Sequence, residues 1–453
     1  MPQKTGDQMQ LLDPAPRNGE AATGKAGAEA SPAVNGNEGS GTSDLMEAAC
    51  RRPNIEAALK RVRKNKGSPG IDGMTVEALR DFLNANWKRI REDLLADRYQ
   101  PQPVRRVTIP KPGGGERELG IPTVLDRLIQ QALLQVLQPK IDPSFSQHSY
   151  GFRPNRSAHD AVRRAKQFVQ EGRGWVVDID LEKFFDRVNH DMLMGRLARR
   201  IADRRVLRLI RGYLNAGILV NGLVRERDIG TPQGGPLSPL LANVVLDDVD
   251  KELEKRGHTF VRYADDLNVY VRSEQAGERV MESMKRLYAK LHLTVNESKS
   301  AVAPATERKF LGFSFLVSTK GEVLVRIAKQ SLERFKNRVR EQTRRTVGRS
   351  IAQVCKDLAR WMPGWRNYFR LTELREFPDL DGWIRHRLRA LRLKQWKTGP
   401  KARRALIALG VLPRIATQAA AQIGRWWSTS RKMLNAALPN SLFDELGLPR
   451  LAA

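Results

Sequence analysis

Cysteine is nearly absent from this 453-residue chain, which holds only Cys50 and Cys355. That excludes a disulfide framework and any cysteine-based zinc module, and it fits a reducing compartment. Histidine is scarce too, and the six present (His148, His159, His190, His258, His292 and His386) show no ligand spacing. Long apolar runs are missing: stretches such as Leu237 to Leu246 fall well short of a bilayer span, and Met1-Pro2-Gln3-Lys4 opens no apolar signal core. The sequence therefore reads as soluble and cytoplasmic, without a membrane partner. Large apolar residues are rare between Leu12 and Asp44, where Gly, Ala, Asn, Ser and Pro dominate. Residues 1–44 are expected to form a disordered tail, because they cannot bury enough surface to offset chain entropy.

What is abundant is positive charge. The chain carries 79 Lys and Arg against 50 Asp and Glu, a net +29. The excess is concentrated: Arg326 to Leu406 holds 23 basic and 7 acidic residues. A polyanion is the natural partner for such density, bound through counterion release and weakened by salt.

Apolar spacing over Leu45, Ile55, Leu59 and Val62 predicts a helix, broken by Gly67-Ser68-Pro69-Gly70 and followed by a second helix over 75–95. Val104 to Pro110 alternates as a strand, and Lys111 to Arg117 is turn chemistry leading to a second short strand ending near Ile121, a basic hairpin. Helices are expected over 126–137 and 238–256, the latter with Ser238 as N-cap and Pro239 in its first turn. A buried strand is expected over 175–181. Two aromatic-rich strands, 260–263 and 267–271, are separated only by Ala264-Asp265-Asp266, which places the carboxylates at or beside a hairpin tip. Beyond Gly321 the pattern turns helical and basic, with Leu332, Phe335 and Val339 as one apolar stripe. The whole predicts an α+β catalytic body followed by a helical C-terminal part.

Tyr263-Ala264-Asp265-Asp266 is a weak signal alone and needs a third carboxylate. The stretch Val177 to Asp186 offers one at the end of an apolar strand, where alternation puts Asp178 and Asp180 on one face. Aspartate is depleted in strands, so two on one face call for a cation. Mg²⁺ prefers oxygen ligands, and nucleotidyl transfer by two metal ions asks for this carboxylate set.

These segments resemble the motifs of reverse transcriptases, and their order from about residue 49 onward resembles a bacterial group II intron-encoded reverse transcriptase and maturase. The resemblance implies a right-hand polymerase, with fingers and an antiparallel palm followed by a helical thumb. It implies a tail over 1–44, N-terminal extension and fingers over 45–172, palm over 173–318, thumb or maturase domain over 319–400, and a small helical, DNA-contacting segment over 401–453. It selects Asp180 over Asp178 through its five-residue offset from Phe185 in Phe185-Asp186, and makes Asp180, Asp265 and Asp266 the ligands of two Mg²⁺ ions. Lys111 and Arg117 resemble the clamp on an incoming deoxynucleoside triphosphate, Gln233 in Gly230 to Pro239 a nucleotide contact, and Phe185 the gate against a ribose 2′-hydroxyl. Lys299 matches a later palm segment on the nucleotide side, and Phe310-Leu311-Gly312-Phe313 resembles the primer grip. Tyr150-Gly151-Phe152-Arg153-Pro154 also matches, with Arg153 expected in a structural or template contact. Gly364-Trp365-Arg366-Asn367-Tyr368-Phe369 resembles the maturase signature. Arg334, Arg338, Arg345, Trp365 and Arg366 are accordingly expected to bind RNA.

The implied partners are group II intron RNA, an RNA template with a DNA primer, and target DNA. The His-Asn-His endonuclease of the largest family members has no counterpart after Lys401. Two other readings stand beside this one. One is a reverse transcriptase of another lineage, serving a retron, a diversity-generating element or a CRISPR locus; the other is an RNA-binding splicing factor on an inactive polymerase scaffold.

Overall fold

A computed structural model of the chain describes residues 44–110, 116–220, 223–225, 230, 234–346, 348–373, 375–432 and 434–452. The expected tail up to residue 43, Lys111 and Gln233 lie outside the described residues, and of Arg117 only the backbone is described. Among the described residues the strands are β1 (Val104–Pro110), β2 (Glu116–Ile121), β3 (Trp175–Ile179), β4 (Ile218–Val220), β5 (Leu223–Arg225), β6 (Thr259–Tyr263), β7 (Asp266–Val271), β8 (Ala301–Pro304), β9 (Phe313–Val317) and β10 (Val323–Ile327). They fall into two compact units that divide between Pro304 and Ala305.

The first unit opens with two helices, Leu45–Cys50 and Arg52–Lys64, where the apolar spacing suggested one. Pro53 explains the break, since it has no N–H to give to the preceding turn. The Asn54 side chain takes over, donating to the Ala49 carbonyl at 2.8 Å. The next helix, Leu79–Leu95, starts four residues later than expected. The expected basic hairpin forms as β1 and β2, paired from Arg105↔Ile121 to Pro110↔Glu116. It is extended by parallel pairing of β1 with β4 and antiparallel pairing of β4 with β5, which the sequence reading missed.

A second sheet, antiparallel throughout in the order β6-β7-β3-β8, carries the center of the unit. Val177, Ile179, Phe260, Leu267 and Val269 are fully buried in it. The helix Glu274–Lys290 buries Val280, Met284 and Tyr288, and its approach to the sheet depends on Gly277. A Cβ at Gly277 would stand 2.4 Å from Val302 Cγ1. The helix Ala158–Gln170, opened by a reciprocal Ser157 and Asp160 capping box, packs against β6 and β7. The long helix Ser238–Lys255 begins one residue off the expected register: Leu237 occupies the cap position and Ser238 is already helical and buried.

The second unit is not purely helical. β9 and β10 form an antiparallel pair from Phe313↔Ile327 to Val317↔Val323. The stretch beyond Gly321 therefore begins as a strand: Val323, Val325 and Ile327 are buried while Leu324 and Arg326 between them are half-buried, a period of two. Helices follow from Lys329–Gln342 through Ile351–Ala359, Met362–Phe369 and Glu376–Gln395 to Gly399–Ala408 and beyond. Phe335, Val339, Leu358, Ile384 and Leu388 center their core. No helix among the described residues is long and apolar enough to cross a membrane.

Candidate active site

β3 ends at Ile179, whose partner across the ladder is Leu267 of β7. Asp180 follows and so comes level with Asp266. Tyr263↔Asp266 closes the β6–β7 hairpin, leaving Ala264 and Asp265 as a two-residue loop, with Asp266 already in the strand. Ala264 has a left-handed φ of 58°, as tight hairpin loops require. Neighbouring strands lie about 4.8 Å apart, so carboxylates from these two strand ends can reach a metal pair separated by about 3.5 to 4 Å. All three are half-buried; the Asp180 side chain keeps 44% of its exposure.

Asp178 has another occupation. It stands opposite Asn268 in the ladder, and with the amide turned to donate, Asn268 Nδ2 lies 3.1 Å from Asp178 Oδ1. Asp180 is held through its backbone instead. Its N–H donates to Ser300 Oγ at 3.0 Å, and its carbonyl accepts from the Asn296 N–H at 2.8 Å. Lys299 Nζ lies 3.7 Å from Asp180 Oδ1, so the structure brings that expected nucleotide-side cation to the carboxylate site.

Directly beneath the hairpin is a residue the sequence reading did not single out. Arg262 is completely buried and forks onto Asp250, Nε to Oδ1 at 2.7 Å and Nη2 to Oδ2 at 2.6 Å. Its Nη1 donates to Asn243 Oδ1 and to the Ala264 carbonyl, both at 2.9 Å. Burial pushes the Asp250 carboxyl upward against the pull of Arg262; the two-pronged geometry is that of an ionised pair. A signal existed in the sequence: Asn243, Asp247 and Asp250 recur at helical spacing among the apolar residues of their helix, and all three are buried.

Gly151 completes the enclosure. A Cβ there would stand 2.2 Å from the Ala264 nitrogen, so only glycine allows this approach. Arg153, by contrast, is structural. Its side chain is 3% exposed; it pairs with Asp142 at 2.9 Å and donates to the carbonyls of Asp142, Ser146 and Ser149. Of the two contacts expected for it, structural or template, these bonds favour the structural one, because its donors are spent inside the fold.

Phe185 is half-buried, edge-on to Phe184 at 5.1 Å between ring centroids. The described glycines of the Gly230 to Pro239 loop lie close to neighbouring backbone. A Cβ on Gly230 would meet the Asp186 backbone at 2.9 Å, and one on Gly234 would meet the Gly120 carbonyl at 2.6 Å.

In the second unit, Arg334 is exposed on the helix Lys329–Gln342. Arg338 lies over the Trp361 ring at 4.3 Å and Arg345 over Trp426 at 4.0 Å. Trp365 is a half-buried member of an aromatic cluster, 4.1 Å from Phe335 and 4.8 Å from Phe369 between centroids. Arg366 donates to the Leu451 carbonyl at 2.8 Å and borders an open cavity with Arg370, Arg375 and Phe377.

Among the described residues, no three His, Cys, Asp or Glu side chains cage a metal ion by themselves. The donors at the strand ends are all carboxylate oxygen and half-buried. That fits Mg²⁺, which retains waters and takes substrate phosphates as ligands.

Comparison with known proteins supplies the frame for this geometry. Residues 109–315 match the reverse transcriptase (RNA-dependent DNA polymerase) family, and residues 332–407 match the group II intron, maturase-specific domain. Protein YkfC of Escherichia coli is 42% identical over 43% of this chain and 52% of its own length. The group II intron-encoded protein LtrA of Lactococcus lactis is 39% identical over 44% of this chain and 33% of its own. A putative COX1/OXI3 intron 1 protein of Saccharomyces cerevisiae is 27% identical over 58% of this chain and 39% of its own. The matched region thus spans about half or less of these relatives. A chain of a solved partial Cas6-RT-Cas1–Cas2 complex is 29% identical over 54% of this chain and 42% of that one, with a TM-score of 0.35. The chain thus carries a reverse transcriptase match followed by a group II intron maturase-specific match, and in this order it is similar to group II intron-encoded reverse transcriptases and maturases.

Proposed function

We infer that the chain is an RNA-directed DNA polymerase that copies group II intron RNA and assists the splicing of its host intron. The observation that carries this reading is the ladder register, which sets Asp180 level with Asp266 and next to the Asp265 turn. Two Mg²⁺ ions bound by these carboxylates would activate the primer 3′-hydroxyl and stabilise the leaving pyrophosphate. Asp180 and Asp265 serve as the principal ligands, and Asp266 supports them. Lys299 lends positive charge beside Asp180, and Lys111, Arg117 and Gln233 hold the incoming triphosphate. Phe185 narrows the sugar site so that deoxynucleotides are preferred. The primer hydroxyl oxygen bonds to the α-phosphorus, the bond to the bridging oxygen breaks, and pyrophosphate departs.

The basic second unit supplies the maturase role. Arg334, Arg338, Arg345 and Arg366 contact RNA phosphates, and Trp365 stiffens the surface that carries them. Its partners are the intron RNA, the template and primer, and target DNA. The test is Asp265→Ala, which should abolish Mg²⁺-dependent cDNA synthesis on an RNA template while leaving RNA binding intact. Undiminished extension by the purified variant would overturn the mechanism.

A further inference from the structure

Arg262 is a costly residue to keep where it is. It is completely buried with Asp250, and such a pair does not in general stabilise a fold more than apolar residues of the same volume. The distribution of its hydrogen bonds shows what it does. Two donors fix it to Asp250 and a third to Asn243, both on the helix Ser238–Lys255. The remaining bond goes to the Ala264 carbonyl at 2.9 Å. That oxygen belongs to the peptide unit whose nitrogen is that of Asp265. To hold it is to hold the plane from which the Asp265 Cα departs.

The same turn is gripped from a second side. Asn243, besides accepting from Arg262, donates through Nδ2 to the Gly151 carbonyl at 2.9 Å, and Gly151 is the residue whose backbone presses on the Ala264 nitrogen. The Arg262 main chain joins in: its N–H donates to the His148 carbonyl at 2.9 Å, and its carbonyl accepts from the Tyr150 N–H at 2.8 Å. The left-handed Ala264 needs such support, because a non-glycine residue at positive φ is strained by about 1 kcal/mol or more.

We propose that Arg262, anchored by Asp250 and Asn243, is a positioning residue for nucleotidyl transfer that sets the Ala264-Asp265 turn and thereby the metal-binding geometry. This rests on the polymerase reading above. It also separates two roles within a five-residue stretch: Asp265 and Asp266 touch metal and substrate, whereas Arg262 acts only through the peptide.

The test is Arg262→Lys in the full chain, with Asn243→Ala as a second variant that leaves the Arg262 and Asp250 pair in place. A lysine ammonium can meet Asp250 but cannot also fork to Asn243 and the Ala264 carbonyl. Three quantities are measured: template-primer affinity, kcat and KM for single-nucleotide extension, and Mn²⁺ affinity by electron paramagnetic resonance on the protein with template-primer. Misplacement by a fraction of an ångström should lower kcat by about tenfold to a hundredfold. Mn²⁺ affinity should fall severalfold, the Mg²⁺ requirement should rise in step, and the nucleotide KM and template-primer affinity should hold. A core role alone would lower the melting temperature without moving metal affinity. Wild-type kcat and Mn²⁺ affinity in folded Arg262→Lys would overturn the proposal; if that variant does not fold, the same result in Asn243→Ala overturns it. Absence of extension by the wild-type chain would instead sink the polymerase reading, and the Mn²⁺ measurement would still decide whether Arg262 governs the site.

Discussion

Replacing Asp178 and Asp180 in turn by asparagine tests the assignment of the site at its sharpest point, since Asp178 lies within β3 and Asp180 just past its end, two residues on. Asp178 faces Asn268 across the ladder at 3.1 Å. Asparagine there can keep a neutral version of that bond, so the loss is part of one hydrogen bond to a charged group. At a half-buried position this is about 1 kcal/mol of stability. Extension should fall by no more than about threefold, because about 1.4 kcal/mol of barrier corresponds to tenfold in rate. Asp180 accepts no comparable bond within the ladder; its backbone is held by Ser300 and Asn296, and its carboxylate faces Lys299 at 3.7 Å. Asparagine at 180 keeps the backbone contacts and removes a metal ligand charge, so stability should hold while kcat falls by at least about 10³-fold, some 4 kcal/mol of barrier. Single-nucleotide extension under saturating template-primer gives the rates, and urea unfolding gives the stabilities. If Asp178→Asn is inactive while Asp180→Asn extends normally, the register reading of the site is wrong.

Two further outcomes are expected in the second unit. Converting Arg334, Arg338 and Arg345 together to glutamine should reduce the slope of log affinity for RNA against log salt by about 2 to 3, at roughly 0.7 to 0.9 per phosphate contact; filter binding across a salt series reads it, and an unchanged slope takes this surface out of the RNA interface. Asp381 accepts from the backbone N–H groups of Leu451 and Ala452 at 3.0 Å and pairs with buried Arg385. Asp381→Ala should therefore cost about 3 kcal/mol in urea unfolding, the low end for a broken buried pair because Arg385 keeps Asp444 at 2.8 Å; a loss under about 1 kcal/mol would show that the docked end of the chain contributes little.

The hairpin of β6 and β7 was legible because two apolar runs separated by three residues leave almost no other geometry, and Asp265 falls at its tip in any register. The exact loop was not legible, since whether Asp266 belongs to turn or strand depends on a left-handed Ala264 that propensity disfavours. Strand β10 was hidden by its neighbours: five residues of period two run straight into a long basic helix, and the helical signal dominates a window of that size. Arg262 was missed for a different reason. An arginine between apolar strand residues reads as a solvent-facing side chain, and its partners Asn243 and Asp250 lie on a helix whose polar residues look like an exposed face until their spacing is compared with the apolar stripe. Arg153 is the converse case, a basic residue in a matched motif whose five donors the fold itself absorbs.

Those two arginines belong to a wider pattern in the first unit. On the polymerase reading, a site that must admit a template, a primer and a nucleotide cannot be lined with paired strands and helix flanks alone, so much of its surrounding backbone is irregular. Irregular backbone near a core still has to satisfy its N–H and carbonyl groups. Here side chains do it. Arg262 takes the Ala264 carbonyl, Asn243 that of Gly151, and His190 that of Gly230. Arg153 gathers the carbonyls of the 142–149 segment, and Ser300 and Asp126 accept the N–H groups of Asp180 and Gln102. Four of these six side chains sit on helices or strands and reach out to a loop, which transfers the rigidity of the regular elements to segments that have none of their own. On that reading the buried polar groups of this unit follow the needs of the open site, and the aspartates stay half-buried at the strand ends because the peptide units beneath them are held.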